Sequence, residues 1–127
     1  MDWLNSNTML LARKTLDVSW ARQKATLDNI ANVDTPDYKA KYILVEDELK
    51  EKLRRVQGKR PSEVREVIQG ARMRVRQSDE ESIRMDGNNV NMDVEQVEVV
   101  RNSFQYQYAL RQISDQLSRL RSVIEGR

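Results

Sequence analysis

Apolar residues recur at alternating steps of three and four along the last third of the chain. From position 106 onward the alternation is unbroken, and its members are Tyr106, Leu110, Ile113, Leu117, Leu120 and Ile124. This spacing is the a/d seam of a helix that packs lengthwise against another helix. A turn cluster at 86–89 precedes the pattern and Gly126 follows it, which predicts a helix over residues 92–124. Such a helix would be about 48 Å long at ~1.5 Å per residue.

A second, weaker seam runs along the N-terminal segment. Its members are Met9, Leu16, Trp20, Gln23, Leu27 and Ile30. We expect Ser6, Asn7 or Thr8 to cap this helix, because short polar side chains accept hydrogen bonds from free N–H groups. We expect the helix to end at Asn32 in left-handed backbone, which asparagine tolerates. Pro36 then turns the chain outward, since it disfavours helical geometry at the preceding residue.

The predicted C-terminal helix is too long for so small a body. A single domain of 127 residues has a radius of gyration of roughly 14 Å. Val97, Val100 and Phe104 widen the apolar face, so the two terminal helices alone would leave apolar surface in water. We expect sister subunits to cover it, and head-to-tail contacts that do not close would give a helical polymer. The predicted subunit-packing seam comprises Met9, Leu16, Trp20, Leu27, Ile30, Val99, Phe104, Tyr106, Leu110, Ile113, Leu117, Leu120 and Ile124.

The middle of the chain has a different pattern. Leu49, Leu53 and Val56 fall on one face of a short helix, and residues 72–76 alternate as a half-exposed strand does. We therefore predict a mainly α fold, with long N- and C-terminal helices packed as a coiled-coil-like pair. Residues 1–36 and 88–127 would form one discontinuous core. Residues 37–87 would form a variable middle segment with a short helix, the rest being irregular or a β-hairpin.

The composition excludes most catalytic and metal chemistry. The chain has no cysteine and no histidine, which removes thiolate and imidazole nucleophiles, bases and zinc ligands. The acidic pairs match solvated helix surface, so we predict no catalytic residue, no cofactor and no metal site. The N-terminus lacks a basic region followed by an apolar core, so we expect no cleaved signal peptide, and no apolar run is long enough to span a membrane.

Charge is unevenly distributed although the net charge is only +2. Residues 50–76 are rich in lysine and arginine, and residues 79–98 are rich in aspartate and glutamate. Clustered cations favour phosphate, so a coiled-coil adaptor that binds nucleic acid through its basic middle is one alternative. The acidic segment offers a simpler partner, and we expect these charges to pair between subunits rather than with nucleic acid. Trp3 is expected to pack on a neighbouring protein.

Two blocks of sequence resemble the bacterial flagellar rod and hook proteins. The stretch LDNIANVDTPDYKA at 27–40 is similar to their N-terminal signature, with Asp37 where the family has glycine. The stretch at 87–107, with GNNVNMD and NSFQYQ, is similar to the small subunits of the proximal rod. The motif residues are Asn29, Ile30, Ala31, Asn32, Thr35, Pro36, Tyr38, Gly87, Asn88, Val90, Asn102, Ser103, Gln105, Tyr106 and Gln107.

The resemblance implies a mechanical rather than an enzymatic role. Members of this family are exported through the flagellar type III apparatus and assemble in the periplasm as a helical tube. Their terminal helices form its inner layer, and the rod transmits torque. The implied partners are the chain itself, other rod proteins, the adaptor FliE and the MS ring, with no membrane span. Another small axial rod protein of the same family is the nearest alternative.

Overall fold

A computed structural model describes residues 6–126, with the side chains of 46–48 left aside, and Trp3 lies outside this range. The elements in chain order are α1 (Asn7–Ala31), β1 (Lys41–Leu44), α2 (Glu46–Arg55), α3 (Pro61–Gly70), β2 (Arg74–Gln77) and α4 (Met92–Glu125). The predicted mainly α fold is confirmed, and α1 packs against α4 as expected. Within residues 6–126, no helix combines the length and the apolar character needed to cross a membrane.

Side chains and a glycine define the ends of the two long helices. Ser6 Oγ accepts a hydrogen bond from the Met9 N–H at 3.2 Å and caps α1. Asn91 Oδ1 accepts from the Asp93 N–H at 3.1 Å and caps α4. Gly126 ends α4 with a φ of 67°, a left-handed conformation that costs glycine little. The predicted start and stop of α4 are therefore confirmed to within one residue.

The expected left-handed end of α1 at Asn32 is wrong. Asn32 has a φ of −104°, and its side-chain Nδ2 donates to the Asp28 carbonyl at 2.8 Å. The carbonyls at the helix end are satisfied by backbone bonds, since the Asn32 N–H donates to the Asn29 carbonyl at 3.2 Å and the Val33 N–H donates to the Ile30 carbonyl at 3.2 Å. No left-handed residue is needed there. The left-handed non-glycine residue of the described chain is Asp37, with a φ of 58°. The left-handed residue of the bend is therefore at the position where the family carries glycine.

Small and polar side chains form the buried centre of the interface between α1 and α4, and the apolar seams lie beside it. The helices are antiparallel, because Asn29 contacts Glu95 near one end and Trp20 contacts Tyr106 further along. The buried residues at seven-residue steps are Ala12, Ser19 and Thr26 on α1, and Glu95, Asn102 and Ala109 on α4. Small side chains let the helix axes approach closely. The two apolar seams meet at one side of this buried row, where Trp20 contacts Tyr106.

The middle segment packs on α1 and is more integrated than a flexible insert. Strands β1 and β2 pair antiparallel, with Lys41 opposite Gln77 and Leu44 opposite Arg74. The predicted β-hairpin is confirmed as a two-stranded sheet, although α2 and α3 connect its strands instead of a tight turn. Strand β2 is exposed along its whole length rather than half-exposed. Both β1 and α3 contact α1. The division into a terminal core and a middle segment stays a prediction.

Candidate assembly site

Asn29 organises the junction where the α1 bend meets the start of α4. Its side chain has no exposure to solvent. Its Nδ2 donates to the Lys41 carbonyl at 3.0 Å and to Glu95 Oε2 at 3.1 Å. Its Oδ1 accepts from the Lys41 N–H at 2.8 Å and from the Tyr38 hydroxyl at 3.3 Å. One amide therefore ties α1 to β1, to the bend and to α4.

Glu95 brings a carboxyl group into this buried junction. Its side chain is 0% exposed, and burial raises its pKa, while the hydrogen bonds from Asn29 and Tyr42 act in the opposite direction. The Tyr42 hydroxyl donates to Glu95 Oε1 at 3.3 Å. Burial first, and then the Glu95 carboxylate, raise the pKa of Tyr42 to about 12, so this hydroxyl stays a donor at neutral pH. With its two oxygens already bonded, Glu95 is arranged as a structural group.

Asn88 links the bend to the segment that leads into α4. Its Nδ2 donates to the carbonyls of Asn32 at 2.8 Å and Thr35 at 2.9 Å. Its Oδ1 accepts from the Val90 N–H at 2.8 Å. Both Asn88 and Val90 are buried. The two family-like sequence blocks, far apart in the chain, therefore meet through the side chain of one motif residue.

Gly87 and Asp37 approach each other closely at the tip of the bend. The Asp37 N–H donates to the Asp86 carbonyl at 2.7 Å, which draws the two segments together. Gly87 has a φ of 78°, and a Cβ on it would lie 2.3 Å from Asp37 Oδ1. A side chain at position 87 would therefore meet both backbone strain and a clash. Aspartate tolerates the left-handed conformation at position 37 better than most other residues would.

Large apolar side chains lie in solvent along one side of the helix pair. The exposed fractions are 65% for Trp20, 50% for Leu27, 42% for Leu110, 46% for Leu117 and 75% for Ile124. We call these five residues the open face. Isolated exposed apolar residues are common on proteins, but a continuous group of this kind marks a contact site.

The geometry of the pair explains why these residues share one side. Trp20, Leu27 and Leu110 each directly follow a residue of the buried α1–α4 interface, so each is turned from it by roughly 100° in the same sense. In an antiparallel pair, the same sense of turn leads to the same side. Leu117 and Ile124 continue from Leu110 at seven-residue steps. The Trp20 and Tyr106 rings, 6.4 Å apart between centroids, join the two helices on that side.

The structure distributes the predicted seam over three environments. Met9 is buried. The half-buried members are Leu16, Ile30, Val99, Tyr106, Ile113 and Leu120. The open face takes five of the exposed members, while the exposed Phe104 lies on the other side of the pair, beside residues of α2. Phe104 therefore does not belong with the others, and the role of the seam in subunit packing stays a prediction.

The remaining motif residues fall into two groups. Ala31, Thr35, Pro36 and Gln107 are exposed, and the other motif residues are buried or half-buried. Asn102 is buried with both polar side-chain atoms unpaired within the described chain. Ser103 Oγ donates back to the Val99 carbonyl at 2.8 Å, and Gln105 lines a groove beside α2.

Sequence reasoning missed the residues that join the helices inside one chain. Ser19, Thr26, Glu95 and Ala109 were not predicted, because small and polar residues carry no hydropathy signal. Their own seven-residue spacing was nevertheless present in the sequence. Arg84, which donates to the Val33 carbonyl, was also missed. An arginine before a Gly-Asn turn gives no sign of a partner so distant in the chain.

The arrangement offers packing surface rather than reaction chemistry. No group of three potential metal ligands occurs in the described part of the chain. Glu95, the one fully buried carboxylate among the residues described, accepts bonds from an amide and a phenol. The described residues therefore provide a hydrogen-bonded junction around Asn29 and an apolar surface, the open face, that is exposed to solvent.

Comparisons with known proteins agree with this description. No protein-family model matches the chain. The chain is 29% identical over 126 residues to the flagellar basal body rod protein FlgB of Bacillus subtilis, covering 97% of each chain. It is 31% identical over 128 residues to FlgB of Escherichia coli, covering 90% of each. It is 35% identical over 111 residues to FlgB of Cereibacter sphaeroides, covering 83% of this chain and 84% of that protein.

Proposed function

Because the chain belongs to the family of the flagellar basal body rod protein FlgB, we propose that neighbouring rod subunits cover its open face. The protein is a structural, non-enzymatic component of the proximal rod of the flagellar basal body. In this proposal it assembles with itself and other axial proteins into the helical shaft that transmits torque.

The proposal rests on one observation, which is that the large apolar side chains of the open face are exposed to solvent in the single chain. Burying one large apolar side chain is worth about 1.5–3 kcal/mol, so covering this row would supply much of the free energy of assembly. The middle segment does not compete for the same surface. Val45 and Leu49 lie beside Val18, which directly precedes a buried interface residue and therefore points to the opposite side of the pair.

The finer identity of the partners is part of the proposal. Assembly next to the adaptor FliE and the MS ring, after export through the flagellar type III apparatus, is what the family resemblance implies. The related small axial protein FlgC is the nearest alternative identity. The relatives described above carry the name FlgB over most of their length, which favours a FlgB-like place in the rod.

Replacing Leu117 by aspartate tests the proposal. The variant places a charge where an apolar contact with a neighbour is expected, and a buried unpaired charge costs several kcal/mol. Because Leu117 is 46% exposed in the single chain, the fold should persist. We expect an unchanged circular dichroism spectrum and loss of the subunit from purified basal bodies, together with loss of motility.

Ser118→Asp is the matched control, since Ser118 is exposed and lies one residue further around the same helix. It should retain more motility than Leu117→Asp. Wild-type incorporation of Leu117→Asp would refute the assignment of the open face. Two results together would instead support the adaptor alternative. Motility would not require the chain, and the purified protein would shift a nucleic-acid probe in a salt-sensitive way.

A further inference from the structure

Two large apolar side chains project from the loop before α4. Ile83 is 102% exposed and Met85 is 107% exposed, so neither is covered by any described part of its own chain. We call this pair the knob. It lies apart from the open face, because its loop contacts the bend beyond the end of α1. Nothing in the proposed function uses it.

The loop that carries the knob is held in place by its alternating polar residues. The Arg84 guanidinium donates to the Val33 carbonyl, and to Asp86 Oδ2 at 2.9 Å. Ser82 Oγ accepts from the Arg84 N–H at 3.1 Å and also donates to the Asn88 carbonyl. The knob is thus presented on an ordered backbone, which lowers the entropy that binding would cost.

A groove of about 650 Å³ lies on the side of the helix pair opposite the open face. Its apolar lining consists of Val18, Val45, Leu49, Phe104 and Tyr108. Phe104 and Tyr108 are 66% and 64% exposed, so their rings are accessible to a partner. The groove offers the apolar surface that a protruding isoleucine and methionine would fill.

The charges around the knob and the groove are opposite. Residues 79–86 contain four acidic residues and one arginine, a net charge of −3. Among the described residues that line the groove, Lys14 and Arg111 carry cations that can face a partner, and none carries a carboxylate. The acidic surroundings of the knob therefore suit the basic rim of the groove.

One chain cannot make this contact with itself. The knob loop is bonded to Val33, just past the end of α1, whereas Val18 in the groove lies roughly 20 Å back along the same helix. We propose that the knob of one copy inserts into the groove of a second copy. The inference deepens the proposed function and rests on it, since it gives the rod subunit a second contact. This contact is head-to-tail, so it continues from copy to copy.

Cysteine cross-linking tests the contact in a chain that has no cysteine of its own. Met85→Cys and Tyr108→Cys are made in separate preparations, mixed, and oxidised gently. We expect a disulfide-linked dimer containing one chain of each kind. Met85→Cys mixed with Val123→Cys is the matched control, because Val123 is 74% exposed on the same helix as Tyr108 but roughly 22 Å away. No Met85–Tyr108 dimer, or equal amounts in the control, would overturn the proposal.

Charge reversal tests whether the rim and the knob loop meet. Reversing Glu80 and Glu81 to lysine in the Met85→Cys chain should lower the cross-linked yield about tenfold. Reversing Lys14 and Arg111 to glutamate in the Tyr108→Cys chain should do the same. Combining both reversed chains should restore the yield. Failure of the combination to restore it would contradict the proposed pairing.

The test separates this contact from the open face. The double variant Ile83→Ser, Met85→Ser changes only solvent-exposed side chains, so it should fold normally and enter basal bodies in reduced amounts. If this variant enters basal bodies in wild-type amounts, the knob contact is refuted while the proposed function stands. If Leu117→Asp enters them normally, the open face is refuted independently.

Discussion

At the scale of single residues, the molecule depends on a buried polar junction. Asn29 and Glu95 are fully enclosed, and their bonds connect α1, β1 and α4. A buried carboxylate without donors would cost several kcal/mol, so Asn29 and Tyr42 together make the position of Glu95 tolerable. The junction fixes the angle at which the bend leaves the helix pair. The junction therefore stabilises the fold, and it affects the assembly surface only through the positions of α1 and α4.

The raised pKa of Glu95 predicts a pH dependence of stability. A carboxyl whose pKa is higher in the folded chain than its unfolded value of 4.5 stabilises the fold below that value, and this contribution is lost as pH rises through the folded pKa. Glu95→Gln does not titrate, and its amide oxygen can still accept from Asn29. We expect the free energy of unfolding of Glu95→Gln to rise relative to wild type as pH increases from 4.5 into the neutral range.

Denaturant unfolding across that pH range measures the effect. Glu66→Gln, a change of an exposed glutamate on α3, is the control and should follow the wild-type curve. Parallel curves for Glu95→Gln and wild type would show that burial does not control the protonation of Glu95.

At the scale of elements, α4 is a helix with unequal support along its length. Its buried residues in the described chain are Glu95, Asn102 and Ala109, and none lies further toward the C-terminus. Residues 121–126 are exposed throughout. The last turns therefore depend on intrinsic helix stability, which is marginal for a short segment in water.

Amide hydrogen exchange should reveal this gradient in the dilute purified protein. We expect the amides of residues 118–125 to exchange at least about tenfold faster than those of residues 99–109, because opening the final turns uncovers little apolar surface. In assembled rods the difference should shrink. Equal protection along the whole of α4 in the dilute protein would mean that its own chain already covers the end.

The sequence was sufficient to predict the long elements but not how they face each other. The heptad pattern and Gly126 predicted α4 closely, because helix periodicity and left-handed glycine caps are local properties. The side of α4 that meets α1 was not predictable from hydropathy, since Asn102 and Ala109 are less apolar than Leu110 and Leu117. Close approach of the backbones favours small residues, and that is a tertiary effect.

The candidate site was predictable only in part for a similar reason. The exposed leucines were predicted to pack between subunits, and the structure leaves them uncovered within the described chain. Phe104 was assigned to the same group, although a rotation around the helix places it beside the groove. The knob was not predicted. Ile83 and Met85 alternate with polar residues in a short loop, and only the bonds of Arg84 show that the loop is ordered.

At the scale of the whole molecule, the contact surfaces lie in different directions. The open face lies on one side of the helix pair, the groove lies on the other, and the knob lies at the end where α1 bends. A monomer with surfaces in several directions can contact more than one neighbour at a time, as a tube requires. Val45 and Leu49 of the middle segment lie on the groove side. We propose that neighbouring subunits cover the exposed apolar residues of the open face.

Thiol modification of Leu117→Cys in a chain without other cysteines measures that covering directly. The variant is treated with a maleimide as purified monomer and within isolated basal bodies. We expect rapid modification in the monomer, where position 117 is 46% exposed as leucine, and strong protection in the basal body. Equal modification rates in the two states would contradict it.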